Sequence, residues 1–278
     1  MNIKLLLLST LGIFLISGCG SRRTFLDDFL YLGGSSMTQI DQYFDLDTKQ
    51  HEQLEQNIDA DLDRLRKARF KQIAKTLREI EKSSQKSDNK KVMSAAYADL
   101  QKEYLEASTY FKGSTVKLIT SLKEPQLKTF KTKAEKEISE TKLAPPEVLN
   151  EELIGRYKRG LEFWVGDLTT AQQQSIAQFT REHPFPWNEK IKNKEAILNR
   201  FMAVHQDPVQ LRKFSEDFVS EYPKIRIPTY ATAVTAYEKE FQNFLDSFWI
   251  SLSPEQKNRL QEYLIVRADK LEQLAKRP

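Results

Sequence analysis

The chain has 278 residues, with 43 Lys or Arg against 39 Asp or Glu, a net charge of +4, 40% hydrophobic residues and only 9 Gly. That balance excludes a disordered chain and a polytopic membrane protein, and so small a positive excess gives no ground for a nucleic-acid partner. A single Cys excludes a disulfide framework and a thiol-rich zinc centre.

The N-terminus starts with one cation, Lys4, followed by an apolar run from Leu5 to Ile16 and then by Ser17-Gly18-Cys19. A charged start, a short apolar core and small residues at a cut describe a secretory leader over residues 1–18. The run is too short to span a bilayer, which takes roughly 20 apolar residues. Ile16, Ser17, Gly18 and Cys19 together resemble the lipobox of bacterial lipoproteins. The resemblance implies a diacylglycerol on the Cys19 thiol, cleavage before Cys19 and acylation of the freed amine. Each buried methylene of such chains is worth about 0.8 kcal/mol, and several chains hold a protein on a membrane. Gly20 stands where Asp would signal inner-membrane retention, which in a Gram-negative cell implies the outer membrane, facing the periplasm. Residues 19–35 then read as the lipidated start and a short helix (Phe25, Leu26, Phe29, Leu30 and Tyr31 at helical spacing) that docks on the body.

The remainder, 36–278, carries four copies of one pattern: Asp or Ser, then Leu, then Gln four residues later. The copies are Leu46/Gln50, Leu122/Gln126, Leu168/Gln172 and Leu252/Gln256. In three of them the residue after Leu is Asp47, Thr169 or Ser253, which can cap a helix, and the Gln falls at the third helical position of a capping box. Lys123 stands at that place in the second copy and cannot cap, so that helix start is expected to be weaker by about 1 kcal/mol. The copies suggest an internal duplication with halves at 36–143 and 144–278.

The longest helical pattern runs from Gln50 to about Ser83, with Leu54, Ile58, Leu62, Leu65, Ile73, Leu77 and Ile80 as its apolar stripe. Arg64, Lys67, Lys71, Lys75, Arg78 and Lys82 share another face by steps of three and four. That stripe is a candidate surface for an anionic partner, although a solvated face accounts for most such runs. A helix is expected from Lys90 to about Lys112, ended by Gly113, with Val116–Ser121 as a turn and another helix to Glu140. Pro145-Pro146 breaks the chain. The next helix, Glu147 to Val165, is expected to bury Val148, Leu149, Leu153, Ile154, Tyr157, Leu161 and Trp164. A further helix stops at His183-Pro184, and the loop to Trp187 is expected to fold down on its own Phe185 and Trp187. Helices follow over Trp187–His205 and Pro208–Glu221. Tyr222–Pro228 reads as an extended crossing, and the helices Thr229–Ile250 and from Pro254 complete an all-α bundle of roughly eight to eleven helices.

The lipobox followed by these corners resembles an uncharacterised family of bacterial helical lipoproteins, a domain of unknown function. The likeness is carried by Tyr43 to Gln50, the basic helix after them, Ala144-Pro145-Pro146-Glu147, Phe163 to Gln172 and Trp249 to Leu264. Leu168-Thr169-Thr170-Ala171-Gln172 also resembles the Leu-Thr-x-x-Gln signature of Spy-type periplasmic chaperones; the chain is far longer than those proteins.

Chemistry-bearing motifs are scarce. His51, His183 and His205 form no helical ligand pair, and there is no phosphate-binding glycine loop and no nucleophile elbow. The sequence therefore points to no catalytic residue, metal or cofactor. It points to a non-enzymatic protein held on a membrane by its N-terminal lipid and binding a protein or anionic envelope partner. A stress chaperone and a cell-wall or lipid-modifying enzyme are the alternatives.

Overall fold

Asp47 shows how the chain starts its helices. Its carboxylate accepts the Gln50 N–H at 2.9 Å, and the Gln50 side chain returns to the Asp47 N–H at 3.1 Å. From that capping box runs α1, Thr48–Ser84. The computed structural model describes Ile40, residues 43–86 and residues 90–277. The expected leader, Cys19 with Ile16, Ser17 and Gly18, and the docking helix lie outside the described residues.

After α1 come α2 (Val92–Ser108), a 3₁₀ turn (Thr109–Phe111), α3 (Lys112–Ser121), α4 (Glu124–Leu143), α5 (Pro146–Val165), α6 (Thr170–Glu182), α7 (Trp187–Val204) and α8 (Pro208–Ser220). The four-residue α9 (Tyr222–Ile225), α10 (Pro228–Ile250) and α11 (Pro254–Ala275) complete the order. Among the described residues there is no strand, and the fold is an all-α multi-helix bundle.

Two hydrophobic cores share α1. The first gathers Leu54 and Ile58 from its N-terminal half with Phe130 of α4, Phe201 of α7 and Phe214 and Phe218 of α8. Phe44 stacks on Phe130 at 4.9 Å, and Phe130 meets Phe201 edge-on at 5.3 Å. The second gathers Leu65, Ile73, Leu77 and Ile80 from the C-terminal half with α2, α5, α6, α10 and α11. There Tyr157 stacks on Phe241 at 4.8 Å and shares a 2.5 Å hydrogen bond with the Tyr237 hydroxyl. Each core takes helices from both sides of residue 143, so the cores interleave the sequence halves.

Three local expectations are corrected. Gly113 does not end a helix. The break comes earlier, where the Ser108 and Thr109 hydroxyls turn back onto the Leu105 and Glu106 carbonyls at 2.8 and 2.7 Å. Such back-bonding bends a helix, and Gly113 and Val116–Ser121 lie inside α3. The Tyr222–Pro228 crossing is not wholly extended. Pro223 sits in the first turn of α9, where its missing N–H leaves nothing unpaired, and the crossing is extended only at Arg226 and Ile227. Asn193, fully buried, fixes both ends: its amide donates to the Tyr222 hydroxyl at 3.2 Å and its carbonyl accepts the Ile227 N–H at 2.9 Å. Val148 is 46% exposed, because the buried face of α5 is set by Leu149, Leu153, Tyr157, Leu161 and Trp164, one residue out of register with it.

Candidate functional site

The corner motifs come together in pairs, the first with the second and the third with the fourth. The Gln172 amide donates to the Gln256 side-chain oxygen at 2.8 Å and to the Ser251 carbonyl at 3.1 Å. In return the Gln256 amide donates to Gln172 at 3.0 Å and to the Asp167 carbonyl at 2.9 Å. Gln50 and Gln126 repeat the arrangement, donating to each other and to the Ser121 and Asp45 carbonyls. Each Gln oxygen also accepts its own cap residue's N–H. Every donor and acceptor of the four side chains is thus used. Leu168 and Leu252 are buried in the second core, and Leu46 and Leu122 pack against the first.

Asp45 takes a left-handed backbone, φ 53°, and offers its carbonyl to Gln126. As expected, Lys123 makes no side-chain cap for α4. Its ammonium instead pairs with Asp47 at 2.8 Å, across the two corners. That cation, with the Gln50 N–H, holds the Asp47 carboxyl below its ordinary range. The corner residues are therefore a structural device joining helix starts.

The basic stripe of α1 is largely balanced by its own neighbours. Arg64 pairs with Asp61, Lys67 with Asp63 at 2.7 Å, Lys75 with Glu79 at 3.7 Å, and Arg78 with Asp269 and Glu272 of α11 at 2.6 and 3.0 Å. The two α11 carboxylates hold the Arg78 guanidinium above its usual range, so it serves as a tie between helices. Lys71 and Lys82 are exposed and make no ion pair among the described residues.

A groove of about 780 Å³ between α1, α3 and α8 gathers positive charge more effectively. Its walls carry Arg64 from α1, Lys112 and Lys117 from α3 and Arg212 from α8, with Thr109, Tyr110 and Thr120 between them. The one carboxylate on the wall, Glu216, holds Lys112 at 3.5 Å and Arg212 at 3.3 Å. Among the described residues Lys117 is held only by the neutral Asn57 side chain, at 3.0 Å. Behind the wall, buried Asp61 joins α1 to α3 by accepting both Arg64 and the Ser114 hydroxyl. Gly113 lines the groove, and a Cβ built there meets nothing within 4 Å.

Sequence reading found Arg64 but not Lys112, Lys117 or Arg212, since the groove exists only where three helices converge. Of the His residues, His205 bonds the Met202 carbonyl at 2.5 Å and His183 stacks on Phe179 at 5.3 Å. Among the described residues no three His, Cys, Asp or Glu side chains are grouped to hold a metal ion. None of the described helices is long and apolar enough to cross a membrane.

Residues 42–221 match a family of unknown function, DUF6279. The chain belongs to that family. The DUF6279 match takes in the first three corners, the first amide pair and every wall of the basic groove; the fourth corner, Leu252 to Gln256, lies beyond it. No curated protein and no solved structure matches the chain.

Proposed function

We propose that this DUF6279 chain is a non-enzymatic protein of the bacterial envelope, lipid-anchored at Cys19 on the outer membrane and facing the periplasm. It binds an anionic surface of another envelope component through the groove between α1, α3 and α8. One observation carries the binding part of the reading: among the described residues four cations from three helices converge on one opening, against two carboxylates, Glu216 on its wall and Asp61 behind Arg64. Opposed charge across an interface steers encounter and selects partners more than it adds affinity, so the interaction is expected to weaken with salt.

Gly113 supplies a clean test, because it lines the groove and a Cβ there meets no neighbour within 4 Å. Gly113→Glu and the pair Lys117→Glu with Arg212→Glu are expected to abolish a specific photo-crosslink formed in intact cells from Thr120, with the thermal midpoint unchanged. A crosslinked partner that is captured equally by wild type and both variants would contradict the assignment, as would adducts only with random abundant proteins.

A further inference from the structure

Lys190 is a half-buried lysine set among cations. It stands in the first turn of α7, with its ammonium nitrogen over the Phe185 and Trp187 rings at 4.9 and 4.7 Å. Among the described residues it makes no ion pair. The charges that act on it are of its own sign: Lys194, one turn later, and Arg156 of α5. The nearby acids are otherwise engaged. Glu152 holds Arg156 at 3.3 Å, and Glu137, which attracts Lys194, accepts the Tyr43 hydroxyl. Glu189 precedes Lys190 in sequence, and neighbours in sequence do not face each other on a helix.

This setting disfavours an ammonium and suits an anion. The ring faces attract a cation, but burial and the two like charges oppose it more strongly and lower the pKa of Lys190 to about 7. The amino end of α7 has no side-chain cap, and the positive end of a helix dipole repels a cation and attracts an anion. In the same turn the Trp187 indole N–H is buried without an acceptor among the described residues. A group that starts as a neutral amine and ends as an anion satisfies all three conditions.

We propose that Lys190 is a modification site whose neutral amine takes up dissolved carbon dioxide as a carbamate, stabilised by the charges of Lys194 and Arg156. The nitrogen lone pair forms an N–C bond to the carbon of carbon dioxide, one C–O π pair moves onto oxygen, and a proton leaves nitrogen for solvent. Nothing is oxidised or reduced. Mutual repulsion among three cations becomes attraction between one anion and two cations, and scarce solvent strengthens that attraction. Ordinary lysines, protonated up to about pH 10, offer no free amine at neutral pH.

Carbon-13 NMR of the full chain in labelled bicarbonate at neutral pH tests this. Trapping with triethyloxonium, which esterifies a carbamate, followed by mass spectrometry, gives its position. A lysine carbamate resonance is expected, with the trapped ester on Lys190. The resonance is expected to be lost in Lys190→Met and several-fold weaker in Lys194→Gln, both with a wild-type or higher thermal midpoint, and to fade as the pH falls well below 7. The proposal is overturned if the wild type shows no carbamate resonance, if folded Lys190→Met keeps it, if the ester lies on other lysines, or if Lys194→Gln leaves it undiminished. None of these residues lines the groove, so the two proposals stand or fall separately.

Discussion

At the residue scale, the choice of Gln at the third position of each corner helix is decided by the partner corner. A capping box accepts Glu as readily as Gln, but only an amide can also donate across to the facing corner. Gln172 is 3% exposed. Gln172→Glu keeps the bond from the Thr169 N–H, strands the Ser251 carbonyl and sets a carboxylate against the Gln256 oxygen. A loss of about 3 kcal/mol is expected in urea denaturation. At half-buried Gln50 the same change is expected to cost about 1 kcal/mol, and equal losses at the two positions would show that pairing does not matter. Lys190 yields a pH prediction. Its folded pKa, about 7, lies below that of the unfolded chain, chiefly because burial disfavours its charge and then because Lys194 and Arg156 repel it. Between pH 7 and the ordinary lysine range near 10.4, the unfolded chain binds the extra proton, so stability rises with pH there. Lys190→Met is expected to raise the thermal midpoint at pH 7 and to lose that advantage as pH approaches 10. A gap independent of pH would contradict the desolvation argument.

At the element scale, α1, α6, α8 and α11 begin with side-chain caps, and α5 ends with backbone geometry. Asp207 accepts the Val209 and Gln210 N–H groups to start α8, and Thr169 and Ser253 do the same for α6 and α11. The end of α5 falls to Gly166, whose φ of 81° and ψ of −158° lie in a region essentially reserved for glycine. A Cβ there also comes within 2.7 Å of the Arg259 guanidinium. Gly166→Ala is expected to destabilise by about 1–3 kcal/mol in chemical denaturation, whereas Gly113→Ala, in open space, is expected to be neutral or slightly stabilising. The reverse order would mean that the turn at Gly166 is not constrained.

At the scale of the whole molecule, α1 is the beam between two cores. Leu54 and Ile58 sit in one, and Leu65 and Leu77 in the other, so neither core can lose its packing without releasing half of that helix. A single unfolding transition is expected, with Phe130→Ala and Ile176→Ala, one in each core, each lowering the whole transition by about 3–5 kcal/mol. Two separated transitions would show the cores to be independent. The helices themselves were legible in the sequence because period and caps are local: Asp47, Thr169 and Ser253 marked their starts, and Leu54 to Ile80 marked a buried face. The four Gln corners were legible too. Which corner meets which was not, since the partners stand 71 to 89 positions apart. The turn at Ser108 was missed because hydroxyls bonding backward leave no mark in hydrophobic period. The groove was missed for a related reason: Lys112, Lys117 and Arg212 are unremarkable residues on separate helices until packing brings them beside Arg64.

Function in this account rests on the tether, since a groove for an envelope partner needs the chain to be held in that compartment. Intact mass spectrometry of the N-terminal fragment of the chain isolated from membranes tests it most directly. The account predicts that the mature chain begins at Cys19 and carries a diacylglycerol on sulfur and an acyl group on nitrogen. A free Cys19 thiol, or a fragment that still contains residues 1–18, would contradict it.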